Sequence, residues 1–228
     1  MGRATKRKFE HQCYFCDAEA STREHFPPLC FFPESNDYSN DMTDYRFNLM
    51  TVPSCAEHNN DRSLDDEYTA LSIVMIAKKC SDKFPIYITK WIEVLIRSNF
   101  ALFKMLFDDF PKTPLLNIDR IRVDNVIDSI ARAIYYHENK YNKRLRSNCK
   151  KYSPQFYSSH YLELEKDYLE LEHSFIIGEM ENELVSNKRG SNHEIFFYQT
   201  LKNEMNRIIA IRMVFYDSVT FFVFPEPS

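Results

Sequence analysis

Two matched pairs of residues carry the clearest chemistry in this sequence. Cys13 and Cys16 enclose two residues, Cys55 and His58 enclose two more, and residues 17–54 lie between the pairs. Three thiolates and one imidazole at that spacing make a tetrahedral Cys3His set, for which zinc is the usual occupant and the role is structural. The first pair suits a turn. The second suits the start of a helix, where positions three apart share a face. Ser54 is placed to cap that helix, with Glu57 completing a capping box. Cys30, Cys80 and Cys149 have no partner at ligand spacing and read as small core residues.

Between the pairs stands Glu24-His25, and His58 runs directly into Asn59. Phosphodiester cleavage needs a base, a metal to offset charge growing on phosphate, and fixed geometry. An imidazole, a carboxylate and an amide can supply these. The order CxxC, then acid-His, then CxxH-Asn resembles the HNH (ββα-metal) endonucleases, in the branch whose core is pinned by zinc. The resemblance covers about residues 11–68.

It implies that His25 is the general base. Glu24 and Asn59 would hold a catalytic divalent ion, Mg2+ or Mn2+ by their oxygen donors. Asn48, expected in a strand before the helix, would orient the base, and Arg62 would face nucleic acid. Adjacent helical residues point about 100° apart, so His58 and Asn59 can serve different ions.

These residues need a scaffold, and the texture of the chain changes near residue 68. Residues 1–68 are rich in Cys, His, Asn, Asp and Pro, and form the expected nuclease module. Residues 69–228 read as a mainly helical region ending in strands, which makes the fold class α+β. Apolar periodicity predicts helices within 69–80, 88–107 and 125–141. Asp65, Asp66 and Glu67, after Ser63, read as the capped, dipole-complementing start of the first of them. The segment 161–175 fits both helical and strand periods. Residues 194–201 and 208–224 are β-branched and aromatic, with a turn expected at Asp217-Ser218.

Composition narrows the function classes. Only 3 Gly are present, which excludes glycine-rich phosphate loops and dinucleotide fingerprints. The apolar stretch 91–107 is broken by Glu93, Arg97 and Lys104, so no membrane span is expected. The basic start lacks an apolar run, so a secretory signal is not expected either, and the reading is cytoplasmic.

The net charge is −4, and residues 1–68 hold 7 Lys and Arg against 13 Asp and Glu. A DNA-binding surface must then lie elsewhere. Residues 139–161 contain no acid but include Lys140, Lys143, Arg144, Arg146, Lys150 and Lys151, interleaved with aromatics. That composition suits a clamp on a phosphate backbone as well as a solvated loop.

The expected function is DNA cleavage, with anti-phage defence or DNA processing as its setting. A partner protein or a second copy could bind through the helical region. The rival readings are an RNA-cleaving enzyme of the same type and a non-catalytic, zinc-stabilised binding module.

Overall fold

The computed structural model describes residues 11–34, 44–60, 63–77, 91–92, 94–96, 101–106, 118–146, 149–157, 178 and 187–225. Segment 161–175 and Arg62 lie outside these residues. The fold mixes helices with two antiparallel sheets.

The smaller sheet is a pair. Strand β1 (Thr22–His25) runs antiparallel to β2 (Thr51–Ser54), with Thr22 opposite Ser54, Arg23 opposite Pro53, Glu24 opposite Val52 and His25 opposite Thr51. Helix α1 (Ala56–Asn60) follows β2 directly, and α2 (Ser63–Ala77) follows α1. Strand, strand and helix therefore succeed one another in the order ββα.

Ser54 does not cap α1 with its hydroxyl. It is fully buried, and its Oγ donates to Glu24 Oε2 at 3.2 Å and to Cys55 O at 3.2 Å. The expected capping box gives way to a link between strands, in which the buried Ser54 hydroxyl finds its acceptor on half-buried Glu24.

After α3 (Ala101–Leu106) comes the longest helix, α4 (Arg120–Glu138). Asp119 caps it, accepting from Ile121 N at 3.1 Å and Arg122 N at 3.4 Å. It ends at Lys140 and Tyr141, both left-handed (φ 52° and 62°), and Tyr141 N closes the turn onto Tyr136 O at 2.9 Å. Eleven of its residues between Val123 and Tyr136 are buried, too many for one face of a surface helix. Burial of Val123, Val126, Ile127, Ile130, Ala131, Ala133, Ile134 and Tyr136 shows why: α4 packs against α2, the β1–β2 pair and the larger sheet together.

The larger sheet has strand order β3-β6-β5-β4, from β3 (Lys150–Tyr152), β4 (Phe196–Lys202), β5 (Ile208–Phe215) and β6 (Val219–Phe224). A four-residue helix, α5 (Pro154–Tyr157), packs on β6. Alternation sends Ile211, Met213, Phe215, Val219, Phe221 and Val223 into the main core, and Ala210, Phe222 and Phe224 into a second cluster. The β5–β6 turn is centred on Tyr216 and Asp217 (φ 50° and 54°), closed by Ser218 N to Phe215 O at 3.1 Å. It sits one residue earlier than composition suggested, because two consecutive left-handed residues give the twist a tight hairpin needs.

One apolar core runs from Cys13, Tyr14, Phe26 and Val52 through α2 and α4 to the larger sheet. Residue 68, taken as a module boundary, falls inside α2. Among the described residues, no helix is long and apolar enough to cross a membrane.

Candidate functional site

The Cys13 pair sits in a short hairpin, bridged between Gln12 and Glu19 and closed by Cys13 N to Ala18 O at 2.9 Å. Tyr14 N donates to Pro53 O at 3.0 Å, which lays the hairpin against β2. Cys55 leaves the end of β2, and His58 follows on α1. The four side chains thus converge although residues 17–54 separate the pairs.

Their ligand atoms all lie within 4.8 Å of one another. Cys13 Sγ to His58 Nδ1 is 3.9 Å, Cys16 Sγ to Cys55 Sγ 3.9 Å, and Cys55 Sγ to His58 Nδ1 3.1 Å. A tetrahedron with metal–sulfur bonds of about 2.3 Å has edges of about 3.8 Å, so the separations fit. The cluster can hold a metal such as zinc.

The thiols are set unequally. Burial raises Cys13, but backbone N–H groups, including that of Phe15 at 3.4 Å, outweigh it and hold the thiol below its ordinary value. Burial pushes Cys16 up to about 11, and charge on Cys13 adds to that. A second thiolate beside the first therefore needs a cation between them.

The surrounding residues fix the knuckle. Phe15 stacks on the His58 ring at 4.5 Å, and the Arg132 guanidinium lies over Phe15 at 4.7 Å. Tyr136 donates its hydroxyl to Gln12 O at 3.1 Å. Arg144 donates to Cys13 O at 3.4 Å, to Cys16 O, to Gln12 Oε1 at 2.9 Å and to Asp17.

Much of the basic segment is thereby engaged with the protein itself. Arg146 pairs with Asp17 at 3.1 Å, and Lys151 reaches Asp128 at 3.4 Å and Cys149 O at 3.1 Å. Lys140, Lys143 and Lys150 are exposed.

Glu24 and His25 occupy the end of β1. Alternation places them on opposite faces, with Glu24 accepting from Ser54 Oγ and His25 paired across to Thr51. Both residues nevertheless line one small cleft, together with Tyr14, Phe26, Pro28 and Asp66 and with Val126, Ser129, Ile130 and Ala133 of α4. Burial, then the charges of Arg46 and Arg23, hold the His25 imidazole below its ordinary pKa.

Asn59 is exposed on α1, with its backbone N–H bonded to Cys55 O at 3.2 Å, and is not among the cleft's lining residues. Asn48 does not lie in a strand. It is exposed in the turn preceding β2, with φ 54°, and its carbonyl accepts from Ser191. Asp66, read from sequence only as part of a helix start, lines the same cleft as Glu24 and His25. No signal in its local sequence separates it from Asp65, which instead pairs with Arg122 at 3.4 Å.

No family model matches the chain, and comparisons with curated proteins and with solved structures give no match either. The reading of the site rests on its own residues.

Proposed function

We propose that this chain is a divalent-metal-dependent endonuclease of the ββα-metal type that hydrolyses phosphodiester bonds in DNA. The observation that carries the proposal is the placement of Glu24 and His25. They sit on a strand paired with the one that delivers Cys55, His58 and Asn59, and they line one cleft with Asp66. Strand, strand and helix with an acid-His pair on the first strand is the arrangement that the resemblance to HNH endonucleases implies.

The roles follow from chemistry. His25 takes the proton of the attacking water, and partial burial beside two guanidinium groups favours the neutral imidazole that this requires. Glu24 is positioned by the Ser54 hydroxyl, which donates to one carboxylate oxygen, and its carboxylate is the first oxygen donor proposed for the cation. Asn59 and Asp66 are the further oxygen donors proposed for that cation, a hard set suited to Mg2+ or Mn2+. Such an ion would supply charge stabilisation at the phosphate. The Cys3His cluster serves folding: it ties the N-terminal hairpin to β2 and α1, which carry the rest of the site.

Incubating the zinc-bound protein with plasmid DNA and with RNA, with and without Mg2+, tests the reading. Mg2+-dependent cleavage of DNA supports it. Cleavage of RNA alone changes the substrate, and cleavage of neither refutes the enzyme assignment.

A further inference from the structure

The site needs a cation that meets a phosphate, and three of the basic residues that follow α4 are already engaged with the protein itself. Arg144 is bound to the knuckle, Arg146 to Asp17, and Lys151 to Asp128. Arg46 acts on His25 through its charge, but it pairs with Glu34 at 3.0 Å and donates to the carbonyls of Phe32 at 3.2 Å and Leu29 at 3.4 Å. Its role is to hold the 3-10 turn Leu29–Phe31.

Arg23 is different. It lies two residues before His25 on β1, so the two side chains leave the same face of the strand. It is exposed, and among the described residues no carboxylate pairs with it. Its Nε donates to Thr51 Oγ1 at 2.7 Å and its Nη2 to Thr51 O at 3.0 Å. Thr51 is the residue directly opposite His25. The guanidinium is therefore anchored on the neighbour of the base, with further N–H donors remaining on Nη1 and Nη2. A planar fork so held is pre-organised for a phosphate, and little side-chain entropy is left to lose on binding.

We infer that Arg23 holds the phosphodiester of the bound strand next to His25. The inference rests on the nuclease reading of His25. It assigns substrate capture to β1 itself and gives Arg144, Arg146 and Lys151 a structural task.

The test uses full-length, zinc-bound protein carrying His25→Ala, so that substrate survives. Its affinity for labelled duplex DNA, single-stranded DNA and RNA oligonucleotides is measured at several salt concentrations, with and without Arg23→Gln. The expected result is binding about tenfold weaker, the scale of one charge-assisted contact. The log–log salt slope should also fall by about 0.9 on duplex DNA or about 0.7 on single strands. Arg23→Lys keeps the charge without the fork and should fall between the two.

Zinc content and melting temperature report folding in every variant. Equal affinity and slope in folded Arg23→Gln protein overturn the inference, even where the parent cleaves DNA. Arg23-dependent binding by a parent that cleaves nothing upholds it and removes the nuclease reading instead. Binding of none of the three oligonucleotides overturns both.

Discussion

Arg144 donates hydrogen bonds to the carbonyls of both Cys13 and Cys16, although more than 120 residues separate it from either. Its guanidinium closes the metal-binding hairpin from outside. The segment after α4 thereby holds the knuckle in place, alongside the Tyr136 hydroxyl on Gln12 O and the Tyr14 N–H on Pro53 O.

Replacing Arg144 by Ala is expected to weaken zinc binding about 10–100-fold, the range for residues that orient metal ligands. Competition with a chromophoric chelator measures it. The exposed neighbours Lys140, Lys143 and Lys150, mutated together to Gln, should leave zinc affinity unchanged. Parent-like zinc retention by Arg144→Ala would show that the hairpin holds its shape unaided.

Metal removal should unfold the N-terminal part of the core. Protein purified without chelator is expected to carry about one zinc per chain, as a single four-ligand site requires. Cys16→Ser or His58→Ala should lose it, and chelation should lower the melting temperature. A folded, zinc-free parent contradicts this.

The legible part of the site was local in the chain. Metal ligands in pairs announce themselves by spacing, and the helices and terminal strands by period, so Cys13, Cys16, Cys55 and His58 could be read directly. Arg23, Asp66 and Arg144 could not. Asp66 enters the cleft only because α2 packs beside α4 and the Leu29–Phe31 turn. Arg144 depends on a contact across most of the chain. Asn48 was misread as a strand residue because its apolar neighbours Leu49 and Met50 mask a left-handed turn.

Asp128 anchors a second buried network. It is 6% exposed and accepts from Arg132 Nε at 2.6 Å, Cys149 N at 3.1 Å and Lys151 Nζ at 3.4 Å. Asp128→Ala removes the carboxylate that faces the Arg132 guanidinium, which is 4% exposed, and should cost about 3–5 kcal/mol in a denaturant titration. A loss well under 1 kcal/mol would mean that water reaches the pair.

Burial, and then the Asp128 charge, push the Cys149 thiol up to about 12. In the folded protein it should resist alkylation at pH 8, whereas the unfolded thiol reacts. A raised folded pKa favours the protonated native state, so this contribution to stability is complete below about pH 9 and declines as pH rises toward 12. Alkylation at the unfolded rate would place Cys149 in solvent.

Glu24→Ala, Asn59→Ala and Asp66→Asn should each reduce cleavage, with partial recovery at high Mn2+ where a ligand of the catalytic ion has been lost. The comparison of Asn59 with Asp66 is informative, since only Asp66 lines the cleft with Glu24. Full activity in Glu24→Ala would remove the proposed cation site.

A base at His25 in a metal-dependent nuclease must show in a single comparison of cleavage rates. Parent and His25→Ala, matched for zinc content and melting temperature, are assayed on supercoiled plasmid with and without Mg2+. Mg2+-dependent cleavage by the parent is expected, with a loss on the order of 10²–10⁴-fold in the variant, as for removal of a general base. Equal rates in the two proteins, or no cleavage by either, would contradict it.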